Sequence, residues 1–290
     1  MERHRIVIIG SGPAGLAFAA RLRKRGINDV VLLEREQEAG GIPRHCGHWG
    51  FGWESHRRLM SGPRYATLLR QEAQGIELRT GTAVLGFTSS QVMRVQNAKG
   101  ISEIAAEHII LATGAREASR ASRLIGGARL PQVMNTGTLQ QLVYLKNMKP
   151  FSRPVIIGGE WVSFSALMTC NHLGIRPAAM IVDEPNIDAP WFFSWGARLR
   201  YRVPVRTSTR LSAINGVSAV ESVDVEHHSR RETIACDGVI VSGKFVPEDS
   251  LLTQAAVPPH VTLTGNVQGE LKTAGRCAVE ARELADRIAL

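Results

Sequence analysis

Arg5-Ile-Val-Ile-Ile-Gly10-Ser-Gly12-Pro-Ala-Gly15, followed by Leu16-Ala-Phe-Ala-Ala20 and closed by Val30-Val-Leu-Leu-Glu34, is the stretch whose reading decides the fold. The four β-branched residues ending at Ile9 read as a buried parallel strand, and the apolar residues from Leu16 to Leu22 recur at helical spacing. The three glycines therefore fall at a strand-to-helix turn. Gly10 permits the tight turn, Gly12 lets the backbone approach a pyrophosphate, and Gly15 lets helix and strand pack closely. The helix N-terminus behind them attracts phosphate charge. Glu34 stands nineteen residues after Gly15, at the end of the second strand. There it is placed to accept hydrogen bonds from an adenosine ribose, and its charge would repel a 2′-phosphate.

The pattern returns at Pro154-Val-Ile-Ile-Gly158-Gly159-Glu160-Trp161-Val162-Ser163, with an apolar helix to Leu173 and a strand from Ala178 to Asp183. Gly10 aligns with Gly158, but Gly12 becomes Glu160 and Gly15 becomes Ser163. A side chain at the second glycine position stands where a pyrophosphate approaches, and its negative charge repels one. The copy predicts a degenerate second nucleotide site around Gly158, Gly159, Glu160 and Asp183. That site is read as blind to nicotinamide dinucleotides, holding an adenine nucleotide or nothing.

Between the copies, Gly40 to Trp53 packs five glycines, two histidines, a cysteine and three aromatics into fourteen residues, a composition that predicts a functional loop with no regular element. A helix is expected from Arg64 to Gln74, strands at Ile76–Arg79, Ala83–Phe87 and Val92–Gln96, and a buried strand from Glu107 ending in Ala112-Thr113-Gly114-Ala115. A helix near Leu139–Leu145 precedes the second copy. Short strands follow it (Val203–Arg206, Leu211–Ile214, Val220–Glu226, Glu232–Ala235), then Cys236-Asp237-Gly238 through Pro247. The chain closes on Val261-Thr-Leu-Thr-Gly265-Asn266-Val267 and a helix from Thr273 to the end. The fold class is α/β with two Rossmann-like dinucleotide-binding domains, the second inserted into the first: 1–115, 116–245, and a returning piece 246–290.

With 44% hydrophobic and 21% charged residues, and no apolar run near the roughly 18 residues that cross a bilayer, the chain reads as an enzyme-sized globular protein. It opens directly on a strand, so no signal peptide is expected and a cytoplasmic location follows. Cys46, Cys170, Cys236 and Cys277 form no C-x-x-C pair, so neither a disulfide framework nor a metal or iron–sulfur site is encoded. The net charge of +9 concentrates in three segments: Arg44, His45, His48, His56, Arg57, Arg58 and Arg64; Arg116, Arg120, Arg123 and Arg129; and Arg198, Arg200, Arg202, Arg206 and Arg210. Such patches steer anionic substrates, dock an acidic protein, or touch a membrane surface. No nucleic-acid module accompanies them, so nucleic acid is not expected as a partner.

Taken together, Gly10-Ser-Gly12-Pro-Ala-Gly15, Glu34, Gly40-Gly41, the Ala112-Thr113-Gly114 strand end, the degraded repeat, Cys236-Asp237-Gly238 and Gly265-Asn266 resemble the pyridine nucleotide-disulfide oxidoreductases in their thioredoxin-reductase-like layout. The resemblance implies that FAD is held through its pyrophosphate by Gly10, Gly12 and Gly15 and through its ribose by Glu34. It implies further contacts from Pro13, Ala14, Arg35, Gly41, Arg44, Ala112, Thr113, Gly114, Thr273 and Ala274. Val84 would meet the adenine through its backbone, and Gly265 and Asn266 would approach pyrophosphate and ribitol. The family usually carries Asp where Asn266 stands. Paired redox cysteines and an intact second fingerprint are absent, and the loop Gly41-Ile-Pro-Arg44-His45-Cys46-Gly47-His48 is similar to loops of the α-type subunits of heteromeric dehydrogenases for hydroxyproline, opines and glycine-to-cyanide conversion, which the chain resembles more.

That resemblance implies an FAD subunit of a dehydrogenase acting on an amino or imino acid. Its partners would be a second, β-type flavoprotein subunit and a small subunit carrying the iron–sulfur cluster. Location would be cytoplasmic, with peripheral contact to the inner membrane open. A second reading is a stand-alone flavin oxidoreductase of the NADH peroxidase kind, in which Cys46, flanked by His45 and His48, is the redox residue. A third is a structural flavoprotein whose second site holds a nucleotide permanently.

Overall fold

The hydrophobic run Ile6–Ile9 satisfies its backbone and buries both faces at the centre of a parallel sheet. The computed structural model describes residues 1–252 and 260–289, without the side chains of 192–194. Along the chain come β1 (Glu2–Ile9), α1 (Pro13–Lys24), β2 (Val30–Leu33), β3 (Trp49–Phe51), α2 (Trp53–His56), β4 (Met60–Ser61), α3 (Gly62–Glu72), β5 (Glu77–Arg79), β6 (Ala83–Ser89), β7 (Val92–Asn97) and β8 (Gly100–Leu111). A seven-stranded sheet runs β5-β2-β1-β8-β7-β6, and a returning strand pairs with β8. Registers Ile6↔Val30 and Ile6↔His108 are parallel, so β1 lies between β2 and β8.

β8 is twelve residues long and does two jobs. Its first half pairs antiparallel with β7, and its second half pairs parallel with β1. The strand thus begins seven residues before the expected Glu107, because the meander partner β7 is supplied only by folding.

The glycine- and aromatic-rich stretch is also more regular than its composition predicts. It holds a 3₁₀ turn (Ile42–His45), β3 and α2, because β3 pairs with β4 across the hairpin. The hairpin is strapped down by polar bonds. Ser55 Oγ meets Tyr65 Oη at 2.9 Å, His56 Nε2 meets Glu72 Oε1 at 2.9 Å, and Arg282 Nη2 donates to Glu72 Oε2 at 2.9 Å. Burial raises the Glu72 carboxyl, but His56 and Arg282 outweigh it and leave the group below its ordinary value.

After β9 (Ala115–Glu117) come β10 (Val133–Asn135), α4 (Thr136–Gln140), β11 (Val155–Ile157), α5 (Trp161–His172), β12 (Ala179–Ile181), α6 (Trp191–Arg200), β13 (Val205–Arg206), β14 (Thr209–Asn215), β15 (Ser222–His227), β16 (Arg230–Ala235), β17 (Val239–Val241) and β18 (Phe245–Pro247). The helix expected near Leu139–Leu145 is α4 running into a π turn, Gln141–Leu145. β10-β17-β11-β12-β13 form an all-parallel sheet, and β14-β15-β16 an antiparallel one. The chain then returns through β19 (Val261–Leu263), parallel to β8, and α7 (Ala274–Ile288). Leu290, to which the final helix was expected to extend, lies outside the described residues.

The described residues divide into two compact units, Met1–Arg116 with Val246–Leu290, and Glu117–Phe245. The fold class read from the sequence, two Rossmann-like domains with one interrupting the other, is the one observed. Within the first unit, α7 packs its alanines against α1, and Arg21 grips Asp286 with two bonds of 2.7 Å.

Candidate functional site

Gly10 leaves β1 at φ 101°, and Gly12 is the N-cap of α1. A Cβ at Gly10 would lie 2.6 Å from the Ala112 carbonyl oxygen, and one at Gly15 only 1.9 Å from the Gly10 oxygen. Those two glycines are enforced by the protein's own backbone. Gly12 is different, because at φ −71° any residue is allowed and a Cβ would meet nothing within 4 Å. Above it lies open space, at a helix N-terminus with neither an acidic residue in its first turn nor a side-chain cap. Such an end stabilises an anion.

The next loop closes on the same turn. Gly40 N–H donates to the Ser11 oxygen at 3.0 Å, and a Cβ on Gly41 would come 2.8 Å from Gly12 Cα. Arg44 donates to Glu36 and lies 3.4 Å from Glu38, while its buried Nε has no hydrogen-bond partner. A backbone cradle, an uncapped helix end and an unspent guanidinium donor fit a pyrophosphate. Glu34, 8% exposed, is fixed on the turn: Oε2 accepts from Ser11 N at 3.0 Å and Ser11 Oγ at 2.6 Å, and Oε1 from Glu36 N at 2.9 Å. Ser11 was not singled out in the sequence.

The returning segment reaches this turn as well. Gly265, at φ 74°, lies so near α1 that a Cβ would touch Ala14 Cβ at 2.9 Å. Asn266, expected to approach pyrophosphate and ribitol, spends its side chain within the protein. Nδ2 donates to the Lys272 oxygen at 3.0 Å, and Oδ1 accepts from Lys272 N at 2.8 Å. Only an amide makes both bonds. Thr273 caps α7, accepting from Arg276 N at 3.1 Å, and donates to Glu54, whose carboxylate also lies against Gly275. Of the remaining expected contacts, Ala112 is buried, Thr113 Oγ1 donates to the Glu248 oxygen at 2.6 Å, Gly114 turns at φ 79°, Val84 lies on edge strand β6, and Arg35 is exposed.

In the second unit the same turn is built and then filled. Gly158, at φ 136°, repeats Gly10: its Cβ would lie 2.6 Å from the Ser242 oxygen, as that of Gly10 would from Ala112. Ser163, at the third position, sets its hydroxyl 3.1 Å from Ser242 Oγ. Glu160 folds back so that Oε1 accepts from Lys244 N at 2.8 Å, and its carboxylate lies 2.6 Å from where a Gly243 Cβ would be. Lys244 Nζ in turn holds Glu184 at 2.5 Å, while Asp183 is exposed. Arg123 donates to the Ser242 oxygen at 2.8 Å. Glu117, a carboxylate the sequence did not single out, accepts from Gly137 N at 2.8 Å and Gly243 N at 3.1 Å, and burial raises its pKa.

The four cysteines are buried and form no disulfide among the described residues. Burial pushes the thiols of Cys170 up to about 12 and of Cys236 and Cys277 up to about 11. Cys46 is 6% exposed and His45 5%, whereas reactive thiolates sit in accessible electropositive settings. His48 Nδ1 lies 2.9 Å from the Trp49 oxygen. No group of three metal-ligating side chains occurs among the described residues. Several basic-patch residues are spent internally: Arg120 donates to four carbonyls of residues 125–128, Arg198 to Val205, and Arg206 to Glu232.

A family model described as pyridine nucleotide-disulphide oxidoreductase matches residues 4–262. The chain is 31% identical over 183 residues to hydrogen cyanide synthase subunit HcnB of Pseudomonas aeruginosa, covering 61% of this chain and 38% of that protein. It is 23% identical to sarcosine oxidase subunit alpha of Rhizobium meliloti, over 83% of this chain and 24% of the other. It thus spans well under half the length of either relative. Thioredoxin reductase of T. acidophilum superposes with a TM-score of 0.80 at 16% identity, covering 100% of this chain and 98% of that one, a likeness of fold. Among the described residues no helix is long and apolar enough to cross a membrane.

Proposed function

The chain belongs to the pyridine nucleotide-disulphide oxidoreductase family, and from that premise we propose that it is the FAD-binding α-type subunit of a multi-subunit dehydrogenase for an amino or imino acid. One observation carries the reading: the first turn leaves open space at Gly12, while Glu160 fills the equivalent turn of the second unit with its own carboxylate. FAD would be held by the backbone around Gly10, Gly12, Gly41 and Gly265, with Glu34 on its ribose and Arg44 donating to its phosphates. Bound there, it supplies the acceptor for a hydride leaving a carbon next to nitrogen. The Glu160 carboxylate would stand where a second dinucleotide's phosphates approach, so electrons would arrive from the organic substrate and leave to a partner. The subunit names of HcnB and sarcosine oxidase alpha support partner subunits, which would be a second flavoprotein subunit and a small iron–sulfur subunit. Location would be cytoplasmic, and any membrane contact peripheral.

The test is anaerobic. The purified chain should be yellow, and NADH or NADPH should leave its flavin oxidised. Proline, hydroxyproline, sarcosine or an opine should bleach it once the partner subunits are present. Rapid bleaching by NADH alone would instead establish the stand-alone oxidoreductase.

A further inference from the structure

Helix α6 carries a feature that nucleotide binding does not use. Trp191, Trp195 and Leu199 are 70%, 60% and 73% exposed, and spacings of four residues put them on one helical face. The opposite side is anchored in the core through Ala197. One exposed apolar residue needs no explanation, but two tryptophans and a leucine in a stripe mark a contact surface. Trp191 and Trp195 pack edge to face at 6.3 Å, which presents them as one surface.

Charge identifies the occupant. No Asp or Glu occurs between Asp188 and Glu221, while five arginines do: Arg198, Arg200, Arg202, Arg206 and Arg210. Arg206 pairs with Glu232 at 2.7 Å, whereas Arg200, Arg202 and Arg210 are exposed and make no ion pair among the described residues. On the core side of α6, away from the stripe, α5 and α6 flank an apolar cleft of about 260 Å³ lined by Phe164, Leu167, Met168 and Ala197, with Arg200 and Tyr201 also on its wall. Protein interfaces ring an apolar centre with a polar, solvent-accessible rim and deplete charge at the centre. An anionic lipid layer presents one sign throughout, over an apolar interior that accepts tryptophan and leucine.

We propose that the exposed face of α6 docks the protein on an anionic phospholipid surface, with Trp191, Trp195 and Leu199 entering the interface and Arg200 and Arg202 meeting phosphates. The proposal is independent of the flavin reading, because vesicle binding is measured without turnover. Full-length protein is sedimented with vesicles of phosphatidylcholine alone or mixed with phosphatidylglycerol, at low and high salt. Binding is expected only with phosphatidylglycerol and should fall with salt. Lipids brominated near the headgroup should quench tryptophan fluorescence. Replacing Trp191, Trp195 and Leu199 together by Ser should abolish binding, with thermal unfolding confirming the fold. Arg200→Gln with Arg202→Gln, both exposed, provides a milder variant, expected to weaken binding roughly 30-fold at about fivefold per arginine. Failure of the wild type to bind anionic vesicles overturns the proposal, as does unchanged binding by the arginine variant. Self-association or retention on an acidic protein, lost in the stripe variant without any vesicle binding, assigns the face to protein instead and overturns it too.

Discussion

Gly12→Ala separates binding from folding at the proposed flavin site. In most fingerprint positions a methyl wrecks the turn itself, as Gly15 shows with 1.9 Å to the Gly10 oxygen. At Gly12 the backbone is already at φ −71° and the new methyl meets no atom within 4 Å. Losing Gly at an N-cap costs up to about 1 kcal/mol, and stiffening the unfolded chain returns about 0.4–1 kcal/mol. Stability of the flavin-free protein should therefore change by less than about 1 kcal/mol. Flavin binding should not survive so well, because the methyl occupies the open space over the α1 N-terminus. Losing one or two charge-assisted bonds at about 1.5–3 kcal/mol each predicts about 1.5–6 kcal/mol, or at least about 10-fold in Kd. Flavin-stripped wild type and variant are compared by urea unfolding and by quenching of FAD fluorescence. Affinity within threefold of wild type would refute the placement of the pyrophosphate at Gly12.

Three other outcomes are expected. Asn266→Asp restores the residue usual in the family yet should destabilise by about 1–2 kcal/mol in urea unfolding, because the carboxylate cannot donate to Lys272 and faces its carbonyl. Asp286 is lowered to about 2 by its bonds to Arg21 and then Arg25. Its contribution is complete above the ordinary value of 3.8 and is lost as pH falls toward 2, so Tm should drop faster for wild type than for Asp286→Asn across that window. Cys46→Ser should keep flavin content and substrate turnover within about twofold by steady-state kinetics, since the buried thiol is given no redox step; a tenfold loss of turnover would restore that role.

What the sequence determined by itself is what short-range geometry dictates. Strand, turn and helix around Gly10, Gly12 and Gly15 are fixed within one β-α unit, so residue types at set offsets report both the fold and the carboxylate Glu34 held on the turn. The repeat at Gly158 was legible for the same reason, including the loss of its second glycine. Tertiary structure alone decided where side chains spend their hydrogen bonds. Glu160 could have pointed to solvent; its bond to Lys244, eighty-four residues away, makes it a filled site rather than a damaged one. Glu54 reaches Thr273 across 219 residues, and Arg120 and Arg123 are consumed by backbone carbonyls although they read as surface charge. Such partners are set by chain closure, and no local pattern of polarity encodes them.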